Sequence, residues 1–80
     1  MLVDIGFGNV VVLSRIVAII SPNSAPIKRM RDGAHKDKLL VDASQGRKTR
    51  SVIITDSNHV ILSTVTIETI VRRIEERRDN

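Results

Sequence analysis

Residues 39–63, LLVDASQGRKTRSVIITDSNHVILS, decide the architecture. Leu39-Leu40-Val41-Asp42-Ala43 reads as a strand, Ser44 to Lys48 as a turn, and Thr49 to Thr55 as its hairpin partner. Gly46 supplies the backbone freedom such a turn requires. Asp56-Ser57-Asn58 is a second turn, because Asp and Asn side chains bond their own backbone there, and His59 to Ser63 follows as a strand. The expectation is an antiparallel meander of these strands. Val52-Ile53-Ile54 and Val60-Ile61-Leu62 show no polar residue on either face, so each of these strands must be covered on both sides.

Downstream, Ile67, Ile70, Val71 and Ile74 recur at i, i+3, i+4 and i+7, the apolar stripe of an amphipathic helix. Thr66 is its cap, Val65 and Ile70 can form a hydrophobic staple, and Arg77-Arg78 fall near its negative end. Glu75, Glu76 and Asp79 give this helix a solvated outer face. Upstream, Ser24 with Pro26 in the first turn predicts a second helix, whose apolar positions are Ile27, Met30 and Ala34. Before it, Leu2 to Ile5 is a short strand ending in the Gly6-Phe7-Gly8-Asn9 loop. Val10 to Ile20 is strand-forming and breaks near Ser14-Arg15. The whole is one α+β domain over residues 1–80, a small antiparallel sheet with two helices.

A chain of 80 residues buries only roughly 60% of the surface its unfolded form exposes, so its core is small. There is no cysteine to cross-link it and no Cys/His cluster to hold a structural metal. Two helices can cover little more than one face of the sheet, which leaves other copies of the chain to cover the rest. A homo-oligomer is therefore expected. Val10 to Ile20 is too short and too polar to span a bilayer, and Met1 to Gly6 carries an acid where a signal peptide carries positive charge. These features point to a cytoplasmic protein.

The net charge is +4, and its distribution is uneven. Lys28, Arg29, Arg31, Lys36, Lys38, Arg47, Lys48 and Arg50 crowd into the middle of the chain against Asp32, Asp37 and Asp42. Within that region the Gln45-Gly46-Arg47-Lys48-Thr49-Arg50 loop projects guanidinium and ammonium groups from a tight turn, where they can reach phosphates. Phe7 is the single aromatic residue, so the chain cannot stack bases as single-strand binders do, and double-stranded DNA is the expected polyanion. Asp42, Asp56, His59, Ser14 and His35 are residue types used in catalysis, but no spacing assembles them. Asp56 is sufficiently explained as a turn cap, and no enzyme activity, metal or cofactor is expected. The competing expectation is a structural module that holds an acidic protein partner.

Several runs then carry a resemblance. Ile5-Gly6-Phe7-Gly8-Asn9, Arg15-Ile16-Val17-Ala18-Ile19-Ile20-Ser21-Pro22, Ser24-Ala25-Pro26-Ile27-Lys28-Arg29 and Gly46-Arg47-Lys48-Thr49-Arg50 stand in this order. With the run from Val52 to Ser63 they cover nearly the whole chain, which resembles the RemA family. The resemblance implies a bacterial transcriptional regulator, an activator of extracellular-matrix and biofilm genes. It also implies a nucleoid-associated homo-oligomeric ring that contacts DNA through positive charge. It implies that Arg15 and Arg47 with Lys48 contact DNA, and Arg50, in the loop of Arg47 and Lys48, is the fourth candidate DNA contact. Lys48 departs from the family's second arginine, keeping the charge and losing the bidentate fork.

Overall fold

A computed structural model describes residues 1–78. Asp79 and the side chains of Arg77 and Arg78, expected on the terminal helix, lie outside the described residues. Strand β1 (Leu2–Gly6) pairs antiparallel with β2 (Asn9–Val12) through the glycine turn. A 3-10 turn over Leu13–Arg15 then breaks the long apolar run and delivers the chain to β3 (Ile16–Ile20). Helix α1 (Ala25–Lys36) leads to β4 (Leu40–Asp42), β5 (Ser51–Thr55), β6 (Val60–Ser63) and finally α2 (Ile67–Arg78).

Both helices start where their caps predict. Ser24 Oγ accepts from the Ile27 amide at 3.3 Å, and Thr66 Oγ1 accepts from the Thr69 amide at 3.3 Å. These bonds satisfy amides that no helical carbonyl can reach. The stripes are narrower than periodicity suggests: Ala34 and Ile70 are buried, whereas Met30 and Val71 stay exposed.

The meander is corrected by the strand order β3-β5-β6-β4. β5 pairs antiparallel with β3 and β6, but β4 runs parallel to β6, with Leu40, Val41 and Asp42 opposite Val60, Ile61 and Leu62. β4 and β5 therefore flank β6 and form no hairpin, and the sheet is mixed. The reason lies in the connection. Asp42 accepts from the Ser44 amide at 2.9 Å, and Gln45 and Gly46 both adopt positive φ (52° and 75°). This wide turn carries the chain across the end of β6, where the Ala43 amide bonds Leu62 and the Arg50 amide bonds Ser63. A two-residue hairpin turn would have returned it alongside β4.

Both sheet faces are covered, as the unbroken apolar strands require, but by layers of the same chain. On one face Val52, Val60 and Leu62 pack with Ala34 of α1, joined by Ile27 and Leu40. On the other Ile53 packs with Val3, Ile5 and Val11 of the β1–β2 hairpin and Ile70 of α2. The expectation that other copies must supply the second layer missed the N-terminal hairpin. Two buried hydroxyls tie this layer down: Ser63 Oγ donates to the Ile5 carbonyl at 2.8 Å, and Ser51 Oγ donates to the Val65 carbonyl at 2.7 Å. Each satisfies a carbonyl that would be costly to bury alone. Among the described residues, no helix is long and apolar enough to cross a membrane.

Candidate nucleic-acid interface

The bridge over β6 places Arg47, Lys48 and Arg50 together around one shallow concavity, with Thr64 from the β6–α2 connection completing its lining. All three cations are exposed, and none takes part in an ion pair among the described residues. A neighbouring concavity is lined by Lys48, Thr49 and Arg50 together with Ser21 to Asn23, which precede α1, and Thr66 to Glu68, which open α2. Free amides of a helix start add to the positive potential there, although Glu68 in that first turn offsets part of it. Basic residues of α1 lie elsewhere: Lys28 and Arg29 line neither concavity.

Arg47 is not a free tether. Its guanidinium carbon stands 5.9 Å from the centroid of the Phe7 ring, within range of a cation–π contact. Phe7 occupies a positive φ of 54° at the tip of the β1–β2 turn, which brings the ring beneath the arginine. Stacking on a ring restricts the guanidinium while leaving its N–H edge open to an anion. The Gly6-Phe7-Gly8 turn was legible as a turn; its service to Arg47 was not, because the two lie forty residues apart.

Arg15 stands apart from this cluster. It ends the 3-10 turn and sits at the Thr55 end of β5, whereas Arg50 precedes the Ser51 end. At roughly 3.3 Å per extended residue, the two lie on the order of 20 Å apart along the strand. Arg15 Nε donates to both carboxylate oxygens of Asp56, at 2.8 and 2.9 Å. Asp56 was expected to cap its own turn; instead its amide bonds the Arg15 carbonyl at 2.9 Å and its carboxylate serves the Arg15 side chain. No local signal marks a contact between residues so distant in sequence.

The remaining candidate chemistry does not assemble. Ser57 Oγ lies 2.7 Å from His59 Nδ1, but the adjacent acid, Asp56, gives both oxygens to Arg15. No group of His, Cys, Asp and Glu suited to a metal ion occurs among the described residues. Asp42 serves the turn instead, since the Ser44 hydroxyl and amide both donate to it, which holds its carboxyl below the ordinary 3.8. A depressed value in the folded state means that this contribution is present above pH 3.8 and is lost as pH falls through the lower folded value. The stability advantage of the wild type over Asp42→Asn should accordingly shrink as pH falls below 3.8 in urea titrations. An advantage that stays constant over that range would show that the Ser44 contacts do not stabilise the basic loop.

The structure is thus a small α+β domain that projects cations, unpaired among the described residues, from a bridging loop. Comparison with known proteins narrows this. The sequence pattern of the RemA-like family, described as extracellular matrix regulatory protein A-like, matches residues 2–74. A Thermodesulfovibrio yellowstonii protein is 62% identical over 95% of this chain and 89% of its own length. One from Nitratidesulfovibrio vulgaris is 60% identical over 90% and 82%, and one from Thermotoga maritima 57% over 94% and 82%. Each of these relatives carries the name "Putative regulatory protein". The chain belongs to the RemA-like family.

Proposed function

We propose that this chain is a transcriptional regulator that binds double-stranded DNA as a homo-oligomeric ring, mainly through phosphate contacts, and activates extracellular-matrix genes. The observation that carries the reading is the convergence of Arg47, Lys48 and Arg50 on one exposed concavity with no acid paired to them among the described residues. A surface that holds like charges together without counter-charges is poised for an external polyanion. Arg15, at the other end of β5, meets a separate phosphate. The family description and the regulatory names of the relatives supply the regulatory role.

Self-association is supported by what the chain leaves uncovered. Leu2, Val10, Val12, Val17 and Val41 are all exposed, a large apolar share for so small a domain. β3 and β4 form the two open edges of the four-stranded sheet. A ring repeats the basic concavity around its circumference, so individually weak phosphate contacts act together.

The experiment is mass photometry with and without duplex, combined with anisotropy titrations over salt. Each neutralised phosphate contributes about −0.9 to the slope of log affinity against log salt, so four cations of one chain give about −3.6. A slope steeper than this, on a multi-subunit species, is expected. A stable monomer, or no duplex affinity even in dilute buffer, sinks the reading. Displacement of duplex by an acidic polypeptide at equal charge concentration would favour a protein partner instead.

A further inference from the structure

We propose that Asp56 is a positioning residue for DNA binding: its carboxylate holds Arg15 by the Nε edge and presents the two terminal amino groups, already oriented, to a phosphate. The inference rests on the DNA-binding reading above and adds an acidic residue to a site otherwise made of cations. Arg15 Nε bonds both Asp56 oxygens, at 2.8 and 2.9 Å, and no described hydrogen bond uses its terminal nitrogens. The side chains are 59% and 48% exposed, so those nitrogens are open to an incoming ligand.

Both partners of this pair are anchored through their backbones. The Ile16 amide closes the 3-10 turn onto Leu13, and the Asp56 amide bonds the Arg15 carbonyl at 2.9 Å. The turn that carries Asp56 is held by the Asn58 amide on the Thr55 carbonyl at 3.1 Å and by the His59 amide on Thr55 Oγ1 at 3.2 Å. Ser57 Oγ joins Thr55 Oγ1 to His59 Nδ1 at 2.9 and 2.7 Å. What remains to be fixed is the set of torsions of the Arg15 side chain, and the carboxylate fixes them.

An acid beside a DNA-contacting arginine also repels phosphate, and the two effects oppose each other. At a separation of about 6 Å between exposed groups in water, that repulsion weakens binding by about threefold. Ordering a free arginine side chain weakens binding by up to about thirtyfold, a loss that a pre-held guanidinium avoids. Orientation outweighs repulsion, so the acid should strengthen binding.

The sign of one substitution decides the matter. Asp56→Ala removes the holding contact and a negative charge together; duplex affinity is read by anisotropy at fixed salt, with oligomer mass and the far-ultraviolet spectrum checked alongside. The expected result is weaker binding by about threefold to tenfold, even though each chain has become more positive. Asp56→Ala combined with Arg15→Ala should bind no worse than Arg15→Ala alone. Tighter or unchanged binding by Asp56→Ala overturns the proposal. Should that variant fail to fold, Asp56→Asn removes the negative charge that holds the Nε edge while keeping the side chain's shape: weaker binding than wild type supports positioning, and equal or tighter binding overturns it. A wild-type protein without affinity for duplex overturns the underlying functional reading, and is seen before any variant is made.

Discussion

Replacing Arg47 by alanine is expected to weaken duplex binding by at least about tenfold, with an equal effect on unrelated duplex sequences. A hydrogen bond to a charged group contributes about 1.5–3 kcal/mol, and an arginine fork makes such bonds in pairs. In the proposed ring the residue would be repeated, so the loss would multiply with every subunit engaged, and the salt slope should fall by about 0.9 for each. The fold should barely respond. Arg47 is exposed, and its contact with Phe7 contributes about 0.5–1 kcal/mol at such a site, a melting shift of a few degrees. Arg47→Lys separates charge from geometry, since it should keep most of the salt slope while losing affinity. Unchanged affinity in Arg47→Ala would remove the basic loop from the interface.

The largest effect on stability belongs to Ile53→Ala. Ile53 is 0% exposed, at the centre of β5, opposite Ile19 of β3 and Ile61 of β6 and beneath the hairpin layer. Truncating such a side chain costs about 2–5 kcal/mol, through lost transfer energy and the cavity left behind. A domain of this size has only about 4–12 kcal/mol in total, so the variant should melt at least about 10 °C lower or be unfolded at ordinary temperature. Ile53→Val should cost about 0.5–1.5 kcal/mol, and Met30→Ala, at an exposed position, less than about 0.5 kcal/mol. Melting followed by circular dichroism at two protein concentrations tests this ranking. A midpoint that rises with concentration would show that association contributes to the stability measured. Equal midpoints for Ile53→Ala and Met30→Ala would place the core elsewhere.

What could be read from the residues alone was whatever depends on local chemistry. The Ser24 and Thr66 caps, the break at Leu13–Arg15 and the antiparallel pairing of β5 with β6 all follow from short-range rules. β4 failed because periodicity reports that a segment is extended and not which neighbour it joins, and the Asp42–Ser44 turn sent the chain past β6. The second covering layer was missed because Val3, Ile5 and Val11 form a strand pattern with no mark of the sheet they cover. The loop cations were visible as a charge cluster. Their supports, Phe7 under Arg47 and Asp56 beside Arg15, depend on contacts across forty residues or more and leave no spacing to detect.

The arch over β6 bears on the speed of recognition. Because the Ala43 and Arg50 amides pin both ends of the loop to Leu62 and Ser63, and the Arg47 amide bonds the Ser44 carbonyl, its backbone is held where the cations are presented. Encounter should then be limited by diffusion under long-range attraction rather than by a conformational step. Association rates would rise steeply as ionic strength falls, and dissociation rates would carry most of the difference between one duplex and another.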